Sequence, residues 1–179
     1  MRNIEYKAEL RDPDLARAIC KSLGAVHEAR LQQTDTYFRV ADGRLKRRDT
    51  VGEPSEYIFY SRTNRADPRV SHYVRYTESE ARERFGATPL PVWVVVRKAR
   101  DLYMLDHVRI HMDDVEKLGR FLELEAVVSS QNDVAVCREV VAYLRQQLAP
   151  ALGEAISHSY SDLLAADRDG VPDDEESGA

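Results

Sequence analysis

The stretch that most constrains this fold is Leu118 to Val127, Leu-Gly-Arg-Phe-Leu-Glu-Leu-Glu-Ala-Val. Its apolar residues are strand material, yet Glu123 and Glu125 interrupt them at a spacing of two. In a strand, side chains at i and i+2 share a face. Two carboxylates therefore lie side by side, with Leu122, Leu124 and Ala126 on the opposite face. Taken alone, this describes a strand with one wet side. Other runs repeat the pattern. Asn3, Glu5 and Lys7 share a face, as do Lys46 with Arg48, Val96 with Lys98 and Arg100, and Arg109 with His111 and Asp113. Ionisable groups of both signs on so many strands predict a charged interior.

The 179 residues are enough for one domain with a real core. With 43% hydrophobic and 32% charged residues, the chain reads as soluble, globular and rich in charge. Much of the net charge of −5 sits in an acidic tail, so the body is closer to neutral and can hold a basic site for an anion. Residues 1–166 form the expected domain, and 167–179 the tail, which is too poor in apolar groups to fold. No apolar run reads as a signal peptide or a membrane span. Cys20 and Cys137 are isolated, without zinc spacing, which points to free thiols and a cytoplasmic protein.

Three helices punctuate the strands. Asp12 is the expected cap of the first, followed by Pro13, with Gly24 past its end and Leu15, Ile19 and Leu23 as its stripe. Thr77-Glu78-Ser79-Glu80 reads as a capping box for a short helix to Gly86. Asn132 is the expected cap of a long helix through Leu148 with a Val136, Val140, Leu144 stripe. Asp42-Gly43 marks a hairpin turn. Many strands with few helices suggest an antiparallel sheet with helices outside. If it curls into an α+β barrel, the charged faces line a lumen and the Leu, Val and Ile faces meet the helices. Carboxylates there suit a hard cation, Mg²⁺ or Mn²⁺, and the bases suit phosphates.

In order along the chain stand Glu-x-Lys (Glu5, Lys7), Asp-Thr-Tyr-Phe (Asp35 to Phe38), Gly-x-Leu-Lys-x-Arg (Gly43 to Arg48) and Lys-x-Arg (Lys98, Arg100). Arg-Ile-His-x-Asp (Arg109 to Asp113), Leu-Gly-x-Phe-Leu-Glu-x-Glu (Leu118 to Glu125) and Ser-Tyr-x-Asp-Leu-Leu (Ser159 to Leu164) complete the series. Together they resemble a CYTH domain, one of the triphosphate tunnel metalloenzymes, from Asn3 to Leu164. The resemblance implies an antiparallel tunnel barrel. It also implies that Glu5, Asp113, Glu123 and Glu125 ligate metal, and that Lys7, Lys46, Arg48, Arg62, Lys98, Arg100 and Arg109 bind triphosphate. The family opens Glu-x-Glu-x-Lys; Asn3 replaces the first Glu and removes one negative charge from a second cation site.

The reaction implied is metal-dependent hydrolysis of a small triphosphate: inorganic, thiamine or nucleoside. Adenylate cyclisation, releasing pyrophosphate, is the alternative, and a non-catalytic binding module the second. Hydrolysis makes the smaller demand, because cyclisation also needs a base pocket that no stretch announces. Arg100 and Lys7 are the residues placed closest to catalysis. Lys7 reads as a phosphate-binding cation sooner than as a proton acceptor, since the latter needs a large downward pKa shift. The basic run Arg44 to Arg48 does not read as a nucleic-acid patch, because alternate residues face opposite ways. Neither nucleic acid nor membrane is an expected partner; helix and strand edges leave room for a homodimer.

Overall fold

The computed structural model describes residues 2–61, 68–86 and 88–169. In chain order its elements are β1 (Arg2–Leu10), α1 (Pro13–Ser22), β2 (Val26–Phe38), β3 (Arg44–Thr50), β4 (Glu56–Ser61) and β5 (Arg69–Tyr76). Then come α2 (Glu78–Phe85), β6 (Val92–Leu105), β7 (Val108–Val115), β8 (Gly119–Val127), α3 (Val134–Leu148), β9 (Leu152–Ala155) and α4 (Tyr160–Asp169). The strands run antiparallel in the order β5-β4-β3-β2-β6-β7-β8-β1, and β5 returns to pair with β1. That pairing closes an eight-stranded barrel. The edge of β1 is shared: Arg2 to Glu5 pair with β5, whereas Ala8 and Leu10 pair with β9.

Strand parity separates two cores. Ile4, Tyr6, Ala8 and Leu10 of β1 point outward, with Val108, Ile110 and Met112 of β7 and Leu122, Leu124 and Ala126 of β8. They pack under α1 and α3, and each buried Leu, Ile or Val contributes about 1.5–3 kcal/mol. The second core lies inside one end of the barrel. There Val94, Val96, Val115 and Phe121 pack against Tyr160 and Leu164 of α4, which stops that end. α4 continues to Asp169, three residues into the stretch expected as tail; 170–179 lie outside the described residues.

Asp12 caps α1 as expected, and Thr77 and Glu80 form the capping box of α2. Two helical details differ. The buried line of α1 is Ala16 and Cys20, with Ile19 and Leu23 beside it, while Leu15 is 38% exposed. Small side chains at the contact let the helix approach the sheet, which rotates the stripe by one position. In α3 the cap is Asp133, not Asn132: its carboxylate accepts the N–H of Val136. The buried stripe is Cys137, Val141, Leu144 and Leu148, and Val136 is 42% exposed. That set also recurs at helical spacing and carries the apolar face through to Leu148. Gly43 makes the expected turn into β3 with φ +69°, and a Cβ there would meet the Phe59 ring at 2.7 Å.

Candidate active site

Inside the barrel, register decides who faces whom. Glu5 lies opposite Glu125 and Lys7 opposite Glu123 across β1 and β8. Arg109 and His111 face the same two glutamates from β7, and Arg100 of β6 faces Asp113. On the other wall Arg48 faces Asp35, and Lys98 faces Gln33. The lumen encloses a cavity of about 250 Å³. Lys7, Lys46, Arg48, Lys98, Arg100, Arg109, Glu5, Glu123 and Glu125 all line it. Asp113 sits in the wall behind Arg100, and Arg62 lies outside the described residues.

Two ion networks organise these groups. In the first, Asp35 is 1% exposed and accepts from three cations. Arg48 reaches both its oxygens at 2.7 Å, with Lys46 Nζ at 2.8 Å and Lys98 Nζ at 3.2 Å. Burial alone would raise the Asp35 pKa, but Arg48, Lys46 and Lys98 together hold it well below the usual range. Lys98 is the cation that yields. Burial, then repulsion from Arg100 and Arg48, lowers it to about 7, against the pull of Asp35.

In the second network Arg100 binds Asp113 through two 2.6 Å bonds and Glu123 at 3.0 Å. Lys7 lies 3.4 Å from Glu123 and Arg109 3.3 Å from Glu125. Burial opposes ionisation of Asp113 and Glu123, yet Arg100 on the first and Lys7, His111 and Arg100 on the second keep both lowered. Tyr160 completes this side. Its O–H donates to Asp113 at 2.8 Å, and the Lys7 ammonium sits 3.9 Å above its ring. Burial, then Asp113 and Glu123, pushes this phenol well up, so it stays a donor.

As donors for a cation, Glu5, Glu123 and Glu125 present oxygens of the hard kind on neighbouring strands. Asn3 Oδ1 is buried without a hydrogen-bond partner among the described residues. That set fits a divalent ion. Both Asp113 oxygens, by contrast, are engaged by Arg100 and Tyr160. Among the described residues, no group of three or more His, Cys, Asp or Glu side chains stands gathered as a metal cage. Each of Asp113, Glu123 and Glu125 is turned onto a base instead.

Sequence reading missed three participants. Asp35 opens the Asp-Thr-Tyr-Phe motif, but its service to three bases depends on the β2 to β3 and β2 to β6 registers. Tyr160 enters from a helix far along the chain, where strand parity says nothing. Arg44 holds that helix in place, donating to Asp162 at 2.6 Å and to Ser159 at 2.9 Å. Removing it by Arg44→Ala should loosen α4 first. Hydrogen exchange would then rise over residues 160–169 ahead of β1 and β8, and equal protection in both proteins would refute the latch.

The site is thus the lumen of a closed antiparallel barrel, lined by paired acids and bases. The profile of the CYTH domain matches residues 1–160, and the chain belongs to that family. Membership makes it an enzyme, in a family where metal dependence is general. A Methanocaldococcus jannaschii protein, provisionally named an adenylate cyclase, is 26% identical over 91% of this chain and 98% of its own. The structure of a Pyrococcus horikoshii protein matches with a TM-score of 0.71 at 21% identity, covering 90% of this chain and 98% of the other. A Hippeastrum protein named as an adenylyl cyclase, whose structure is described with a dominant triphosphatase activity, matches with a TM-score of 0.61 at 14% identity. Coverage there is 92% of this chain and 96% of the other. Among the described residues no helix is long and apolar enough to cross a membrane.

Proposed function

We propose that this chain is a metal-dependent hydrolase of a small triphosphate. The observation that carries this reading is the division of one cavity into a basic wall (Lys46, Arg48, Lys98) and a carboxylate wall (Glu5, Glu123, Glu125). The basic wall, with Lys7, Arg100 and Arg109, binds phosphate oxygens and meets the charge that builds up in phosphoryl transfer. The carboxylate wall holds Mg²⁺ or Mn²⁺, which when bound neutralises phosphate oxygens and lowers the pKa of water. Asp113 joins it only by giving up Arg100. Lys7, held against the Tyr160 ring and the Glu123 carboxylate, serves in this reading as a phosphate-binding cation. Cys20 and Cys137 are both free and buried, in keeping with a reducing cytoplasm.

Cyclisation of ATP is the second reading, favoured by Leu31, Ile58 and Leu102, which line the same cavity and offer an apolar surface to a base. The test incubates the protein with inorganic triphosphate, thiamine triphosphate or ATP and Mg²⁺ or Mn²⁺. Orthophosphate release is the expected result. Cyclic AMP with pyrophosphate would replace hydrolysis by cyclisation, and neither product from any substrate would end both readings.

A further inference from the structure

We infer that Asp35 is a positioning residue, the buried anion that gathers Lys46, Arg48 and Lys98 into one preformed cradle for a polyanion. The inference rests on reading the cavity as a polyanion site, and it adds a residue that touches neither substrate nor metal in that reading. Asp35 does not line the cavity; the cations it holds do. Its Oδ2 accepts from Arg48 Nη2, Lys46 Nζ and Lys98 Nζ together, and its Oδ1 from Arg48 Nε. The three cations come from two strands, β3 for two of them and β6 for the third, joined through β2 where Asp35 stands between.

Without a shared anion these cations repel one another, and each long side chain has many rotamers to explore. Asp35 draws them to one point while using only part of each donor set, so the remaining N–H groups stay available to phosphate oxygens. Binding then requires little rearrangement. The Lys46 ammonium also lies 5.5 Å from the Tyr37 ring, a second restraint on the same cradle.

The sign of the Asp35→Asn effect separates positioning from charge. Counting charges alone, loss of an anion beside a basic wall should tighten polyanion binding. Positioning gives the reverse: weaker binding of inorganic triphosphate by about tenfold, the order of one charge-assisted hydrogen bond. Turnover should fall further, about 100-fold, as expected when reacting groups are misplaced.

The experiment measures triphosphate affinity by calorimetry without added metal, and kcat and KM with Mn²⁺, for wild type, Asp35→Asn and Asp35→Glu. Weaker binding in Asp35→Asn with partial recovery in Asp35→Glu supports the cradle. Binding as tight as wild type or tighter in Asp35→Asn overturns it. Should Asp35→Asn fail to fold, Asp35→Glu decides, because it keeps the charge but shifts the cations: unchanged affinity and kcat overturn the inference, and loss of both with an unchanged melting temperature supports it. Wild-type binding without turnover removes the hydrolase reading alone, and the affinities still judge the cradle. Absence of triphosphate binding by the wild type overturns the cradle as well.

Discussion

Arg100→Ala should destabilise the protein before it tells us anything about catalysis. Arg100 is 5% exposed and is the bidentate partner of Asp113 and a partner of Glu123. Among the described residues, truncation leaves Asp113 with the Tyr160 hydroxyl as its side-chain hydrogen-bond partner, and Glu123 with Lys7 and His111. Breaking a buried pair from one side costs roughly 3–5 kcal/mol, because the remaining charge keeps its desolvation penalty. For a chain of this size the melting temperature should fall on the order of 10 °C. Asp113 has a folded pKa held below its unfolded value, so its contribution is present above the unfolded pKa and lost as the pH drops through the folded one. The gap between wild type and variant should therefore narrow in acid. Arg100→Met with Asp113→Leu should recover most of the stability and none of the activity. A double variant as unstable as Arg100→Ala would show that the charges, once both removed, were not the cause. Denaturant melts at pH 7 and near pH 2, where Asp113 titrates in the folded protein, measure all of this.

Triphosphate affinity should fall as the pH rises above 7, by up to about tenfold per unit, the limit for one linked proton. The group responsible is Lys98, lowered to about 7 by burial first and by Arg100 and Arg48 next. A polyanion favours its charged form, so binding takes up a proton wherever the free protein has lost it. Lys98→Met should abolish this uptake, which separates it from ionisation of the ligand itself. Calorimetry in buffers of different ionisation enthalpy reads the proton directly. Stability carries the same signature with a definite sign. Because the folded pKa lies below the unfolded one, the native state binds fewer protons from pH 7 upward, and stability rises with pH through that window. Lys98→Met should therefore be most stabilised relative to wild type below pH 7, with the advantage shrinking toward alkaline pH. A pH-independent difference in both measurements would refute the assignment.

The barrel was legible because its alternation is strict where one face is charged. Glu123 with Glu125, and Lys98 with Arg100, announce both the strand and the side that must turn inward. The same parity places the expected residues within the described part in, or directly behind, the lining of one cavity. Helix faces were less legible. Val136, Val140 and Leu144 compete with Cys137, Val141 and Leu144 as an apolar stripe, and only contact with the sheet chooses between them. Hubs were not legible at all. Asp35 looks like any polar residue of its strand until register puts Lys46, Arg48 and Lys98 around it, and Tyr160 belongs to the site only because α4 folds back into the barrel.

That inserted helix makes the chamber a cul-de-sac. Among the described residues, Tyr160 and Leu164 pack on Val94, Val96, Val115 and Phe121 and stop that end of the barrel. On the hydrolase reading proposed above, substrate would enter and products would leave by the opposite end, so the last fragment in contact with the basic wall would have to leave before the next molecule is admitted. Long polyphosphate chains could be nibbled only from a terminus, never gripped in mid-chain. Inhibition by the retained product would then be a built-in consequence of the architecture.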